Sequence, residues 1–93
     1  MNNVSLLGRL TKDVDLRFAA GSGTAVASFT LAVNRKFKKD EADFINCKAF
    51  AKTAEILAQY VFKGQQLSVT GHIQTGKYKN KEGKDVYTTE VIV

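Results

Sequence analysis

A single cysteine, Cys47, stands among the 93 residues, so no internal disulfide framework can form and the chain suits a reducing compartment. Proline is absent altogether, which is unusual and decides little. No apolar run approaches the roughly 20 residues of a membrane span. Met1-Asn2-Asn3 opens a strand-like stretch rather than a signal peptide. A cytoplasmic protein is the expectation, with no part in the membrane. Repeats, low-complexity tracts and linkers are also missing, and the length suits one small domain over residues 1–93. Such a domain buries roughly 60–65% of its unfolded surface, so association with further copies would add stability.

The signatures of catalysis are missing as well. There is no glycine-rich phosphate loop, no Ser-His-Asp order and no acid–base pair, so an enzyme is not expected. The one histidine, His72, has no partners at ligand spacing. Asp40, Glu41 and Asp43 offer too few oxygens for a Ca²⁺ or Mg²⁺ loop and read as solubility charges. Neither a metal nor another cofactor is expected. Cys47 reads as a small buried hydrophobe.

What is present is a positive charge placed unevenly. The net charge is +5 and the pI is near 9.5, which suits an anionic partner. Two segments, Arg35-Lys36-Phe37-Lys38-Lys39 and Lys77-Tyr78-Lys79-Asn80-Lys81, together with Lys84 hold more than half of the 14 Lys and Arg residues. Each sets a ring between cations where a strand runs into a loop. Cations neutralise phosphates, and an exposed ring offers a flat face on which an unpaired base can stack.

Periodicity supplies the frame. Asn3 to Leu10 reads as a strand kinked at Gly8. A short extended piece, Asp15 to Phe18, ends at the turn Gly21-Ser22-Gly23. Thr24 to Asn34 alternates, with Ala25, Ala27, Phe29, Leu31 and Val33 on one side. In Phe44 to Phe50, Ile45, Cys47 and Ala49 share a core-like face. The other face carries Phe44, Asn46, Lys48 and Phe50, too polar for a core and too aromatic for plain solvent. Lys52 to Lys63 reads as a helix with Ala54, Leu57, Ala58 and Val61 as its stripe, Thr53 or a neighbour as cap and Gly64 beyond its end. Tyr60, Phe62 and Phe18 are assigned to packing. Gln66 to Tyr78 and Val86 to Val93 form a hairpin turning at Asn80-Lys81-Glu82-Gly83, with Leu67, Val69, Gly71, Ile73 and Thr75 on the apolar face of its first strand. The fold class is all-β: three strands, a helix and two strands give a five-stranded OB-fold Greek-key barrel, which often binds oligonucleotides across its second and third strands.

The residues themselves then resemble a known family. Met1-Asn2-Asn3-Val4, Leu7-Gly8-Arg9-Leu10-Thr11-Lys12-Asp13, Phe29-Thr30-Leu31-Ala32-Val33-Asn34-Arg35, Ala42-Asp43-Phe44-Ile45-Asn46-Cys47, Lys52-Thr53-Ala54-Glu55, Gly71-His72-Ile73-Gln74-Thr75-Gly76-Lys77-Tyr78 and Tyr87-Thr88-Thr89-Glu90-Val91 look like the bacterial and bacteriophage single-stranded DNA-binding protein family. The resemblance spans essentially the whole chain. It implies sequence-independent binding and protection of single-stranded DNA in replication, recombination or repair, a nucleoid-associated location and a homotetramer. By the family's motif the stacking positions are Phe37, Phe44, Phe50 and Tyr78. Most relatives carry tryptophan at one or more of these places, and this chain has none; the smaller rings still stack, over less area. Phosphate contacts are expected from Arg9, Arg35, Lys36, Lys38, Lys39, Lys48, Lys52, Lys77, Lys79, Lys81 and Lys84.

For assembly, Asn3, Ser5, Leu7 and Arg9 alternate with the core residues Val4 and Leu6, leaving an apolar Leu7 on a polar outer face. The family pairs this strand across a two-fold axis and joins dimers near His72. Asn3, Ser5, Leu7, His72 and Gln74 are the expected interface. Val14 stands where the family usually has proline. Family members also continue through a flexible linker to an acidic tip that recruits partners; with the chain ending at Val93, tail-mediated partners are not expected. Other readings are open at this point: an OB-fold accessory factor in replication restart or RNA binding, an OB-fold nuclease, or a protein–protein module.

Overall fold

A computed structural model of the chain describes residues 1–38 and 40–93. Its elements run β1 (Val4–Leu10), β2 (Asp15–Phe18), β3 (Ala25–Asn34), β4 (Ala42–Phe50), α1 (Ala51–Tyr60), β5 (Gln66–Lys79) and β6 (Asp85–Ile92). Five strands close a ring: β1 pairs with β3, β3 with β4, β4 with β6, β6 with β5, and β5 with β1. All these pairings are antiparallel except β4–β6, joined in parallel at Cys47–Val91 and Lys48–Ile92. This is the OB-fold expected from the element order, with the helix between the third and fourth ring strands. The extended piece Asp15–Phe18 is a sixth strand, paired along the free edge of β3.

The inward-facing alternation of each strand supplies the core. Leu10, Ala25, Ala27, Phe29, Leu31, Cys47, Ala49, Val69 and Val91 are buried, capped by Ala54 and Leu57 of α1. On β5 the apolar face fades outward: Val69 is buried, Ile73 exposed, and beyond it the β5–β6 hairpin projects from the barrel as an arm. Strand β1 changes partner near Gly8. There a Cβ would lie 2.7 Å from the carbonyl oxygen of Ala32, so the absent side chain is what lets β1 and β3 approach.

Three expectations are corrected. Helix α1 stops at Tyr60 rather than Lys63, and Val61 is already extended at φ −112° and ψ 150°. Tertiary hydrogen bonds outcompete a further turn: the Lys63 amide donates to Asp13 Oδ1 at 2.8 Å, and the Gly64 amide to the Leu10 carbonyl at 2.9 Å. At the other end no side chain caps the helix, Thr53 included. Strand β4 runs straight into it through Ala51, whose left-handed φ of 55° costs about 1 kcal/mol and makes the corner without a loop. Phe18, Tyr60 and Phe62, assigned to packing, are each about two-thirds exposed. Phe18 ends an edge strand, and the other two lie where the chain leaves α1, past the residues the helix buries.

Candidate nucleic-acid interface

Strand register arranges the outer face of β3 and β4 into cross-strand rows. Arg17, Val26 and Phe50 form one row; Asp15, Ser28 and Lys48 form the next. Thr30 faces Asn46, and Ala32 faces Phe44. Paired residues share a face of the sheet, so Phe44, Asn46, Lys48 and Phe50 project together. Phe44 is 68% exposed and Phe50 41% exposed, with Lys48 between them. The floor between the rings is polar, and Thr30 Oγ1 donates to Asn46 Oδ1 at 3.2 Å. Two half-open phenylalanines flank a cation, and that pattern suits a ligand that is both flat and anionic.

The β3–β4 loop adds Phe37, the most exposed of the rings at 90%, with Lys36 Nζ 5.6 Å from its centroid. Lys38 is exposed beside it; Lys39 lies outside the described residues. Arg35 is held differently. Its guanidinium bridges Asp43 at 2.9 Å and Glu41 at 3.3 Å, tying the base of the loop, so two of the three acids expected to be plain solubility charges serve as its partners. Among the described residues no group of three or more His, Cys, Asp and Glu side chains is placed to hold a metal ion.

On the β5–β6 arm Tyr78 is exposed on the outer face, and Lys81 and Lys84 lie at the tip. The tip is built by Asn80, whose Oδ1 accepts from the amides of Glu82 and Lys84 at 3.0 Å each, and by Gly83 at φ 80°. The pleat, however, divides what is adjacent in sequence. Lys77 and Lys79 alternate with Tyr78 and project to the opposite face of the arm, where Lys77 pairs with Asp85 at 3.6 Å. Lys52 is exposed on the first turn of α1, two residues past Phe50. Arg9 lies apart, on the outer face of β1 with Leu7, where it donates to the Gly64 carbonyl at 3.2 Å.

That same β1–β5 outer face carries Asn3, Ser5, His72 and Gln74, all exposed, and Leu7 at 57% exposure. Ser5 and Thr70 hydroxyls stand 3.5 Å apart across the two strands. Leu7 is thus an apolar side chain on a polar face, as the alternation indicates.

The whole chain, residues 1–93, matches the model of the single-strand binding protein family. It belongs to that family. It is 68% identical over 93 residues to a single-stranded DNA-binding protein of Clostridium perfringens, covering all of this chain and 62% of that relative. A single-stranded DNA-binding protein of Enterococcus faecalis is 57% identical over 96 residues, which is 99% of this chain and 50% of the relative. Single-stranded DNA-binding protein 1 of Streptococcus pyogenes is 54% identical over 96 residues, 99% of this chain and 73% of its own length. The chain therefore spans between half and two thirds of the first two relatives.

Family membership gives the outer face of β3 and β4 its context, and the geometry adds residues that sequence reasoning did not select. Lys12 borders the polar floor with Asp15, Ser28, Thr30, Asn46 and Glu90. Arg17 stands in the row of Phe50, although it pairs with Asp15 at 3.2 Å. Tyr87 is 75% exposed on the arm. Their signal lies in pairing across strands, which a linear reading does not display. Burial pushes the Cys47 thiol up to about 11, in keeping with its place in the core.

Proposed function

We propose that residues 1–93 act as one domain that binds single-stranded DNA without sequence preference, and that the chain is a binder rather than an enzyme. The observation that carries this reading is the shared outer face of β4, where Phe44 and Phe50 are exposed on either side of Lys48. Rings accept any base because every base has a π-face, and lysines accept any phosphate, so neither term selects sequence. Phe37 and Tyr78 extend the stacking set on the β3–β4 loop and the arm. Lys36, Lys38, Lys39, Lys52, Lys79, Lys81 and Lys84 supply phosphate contacts, joined by Lys48, Arg35, Lys77 and Arg9 once these exchange their present partners for phosphate. The names of the relatives at up to 68% identity support the same ligand.

The biological setting that fits is cytoplasmic and nucleoid-associated, in replication, recombination or repair; among the described residues no helix is long and apolar enough to cross a membrane. Assembly into a homotetramer through the β1–β5 face, with Asn3, Ser5, Leu7, His72 and Gln74 at the contacts, multiplies the contacts one strand can make. The test is a titration with a dT oligonucleotide, the same length of rU, and a duplex, each over a salt series. Tight, salt-sensitive binding of dT with little binding of duplex is the expected result. A preference for rU redirects the reading to RNA, since the 2′-hydroxyl is what separates the two locally. Absence of salt-sensitive binding refutes it.

A further inference from the structure

The arm between β5 and β6 carries a second ring whose surroundings are better suited to nucleic acid than those of Tyr78. In the register of the two strands, Tyr78 lies opposite Val86, Lys77 opposite Tyr87, and Lys79 opposite Asp85. Because paired residues share a face and neighbours alternate, Tyr87 projects with Lys77 and Lys79, while Tyr78 projects with Val86 and Gly76. The ring between two lysines in sequence is Tyr78, but the ring that shares their face is Tyr87, with Lys77 directly opposite it and Lys79 one step along the diagonal. It is also the more exposed of the two, at 75% against 56%.

We propose that Tyr87, which shares its face with Lys77 and Lys79, is a further nucleotide-stacking position on the face of the arm opposite Tyr78. The proposal rests on the single-stranded DNA reading above and deepens it. The face continues towards the barrel through Thr89 and Ile73, which with Val4 and Leu6 of β1 and Phe44 and Ile45 of β4 line an open, largely apolar recess. Phe44 and the strand that carries Tyr87 therefore border the same recess. Asp85 is the acid on this face and holds Lys77 Nζ at 3.6 Å in a solvent-exposed pair, which a phosphate can displace at little cost. Charge also decides the occupant. The face carries two lysines against the single acid Asp85, so its surplus is positive and a polyanion is complementary to it.

The experiment compares the full chain with Tyr87→Ala, Tyr87→Phe and Phe44→Ala, using a dT oligonucleotide of about 16 nucleotides, the upper end of the site size of one OB-fold. Affinity, thermal melting and assembly mass are read for each, and an oligonucleotide carrying 5-iododeoxyuridine is photo-crosslinked and mapped by mass spectrometry. The expected result is a loss of about fivefold or more for Tyr87→Ala, near-parent affinity for Tyr87→Phe, unchanged mass and melting, and a crosslink on the peptide containing Tyr87. Parent affinity for Tyr87→Ala alongside a loss for Phe44→Ala overturns this position and leaves the binding reading standing. Parent affinity for both variants refutes the binding reading itself. A change of assembly mass in Tyr87→Ala overturns the position by showing the ring to be a contact between copies.

Discussion

Lys48 stands between the two rings of β4 but is already engaged: its Nζ lies 3.3 Å from Glu90 Oε2, with side chains 38% and 26% exposed. A phosphate reaching this position must displace the carboxylate or lie beside it. Replacing Glu90 with Gln keeps the shape, removes the negative charge and leaves Lys48 available to the ligand. A partly exposed ion pair contributes at most about 1 kcal/mol, so the fold should lose little. One additional phosphate neutralised steepens the slope of log affinity against log salt by about 0.7. Over a tenfold fall in salt that is about a fivefold extra gain in affinity relative to the parent chain. Fluorescence anisotropy with a labelled dT oligonucleotide, repeated across salt concentrations for Glu90→Gln and the parent, reads both quantities. Tighter binding at low salt and the steeper slope are expected. Equal slopes with equal affinities would refute the reasoning, because Lys48 would then not meet a phosphate.

Further consequences can be measured separately. Gly71→Ala should destabilise the fold by about 1–3 kcal/mol, because a Cβ there collides with the backbone carbonyl of Ile92. Gly76→Ala meets only the Thr88 hydroxyl, which can rotate away, and should cost less, so the two melting temperatures order the effects. Cys47 should resist alkylation at neutral pH until the chain unfolds, since it is buried and its pKa is raised from 9.0 to about 11. The folded state holds that proton more tightly than the unfolded chain, so the contribution to stability is complete below pH 9 and is lost as pH rises towards 11, which melting across that range can follow. Leu7→Lys should shift a homotetramer at micromolar concentration towards smaller species and weaken binding through lost multivalency; sedimentation showing a monomer for the parent chain would contradict the assembly reading.

The barrel was legible because its signal is local. Alternation in Ala25–Asn34 and Ala42–Phe50 divides core from outer face residue by residue, and the order of elements matches that of the five-stranded OB-fold. The end of α1 was not legible, since Val61 fits the helical stripe and only the amide bonds of Lys63 and Gly64 to distant partners show why the helix stops. The same limit governs the candidate site. Phe44, Lys48 and Phe50 share a face through period two along one strand, which a linear reading captures. The association of Tyr87 with Lys77 and Lys79, of Arg17 with Phe50 and of Lys48 with Glu90 arises from register between strands far apart in sequence. Exposure of Phe18, Tyr60 and Phe62 follows from how little the short edge strand and helix can cover.

The central claim is that the exposed rings of β4 hold bases, and Phe44→Ala tests it most directly. Phe44 is 68% exposed, so its removal should change melting by well under what a core truncation costs. Loss of one stacked base is worth about 1–3 kcal/mol, or about 5- to 150-fold in affinity for poly-dT. That loss is expected in a variant that melts like the parent. Parent affinity in a folded Phe44→Ala chain would contradict it.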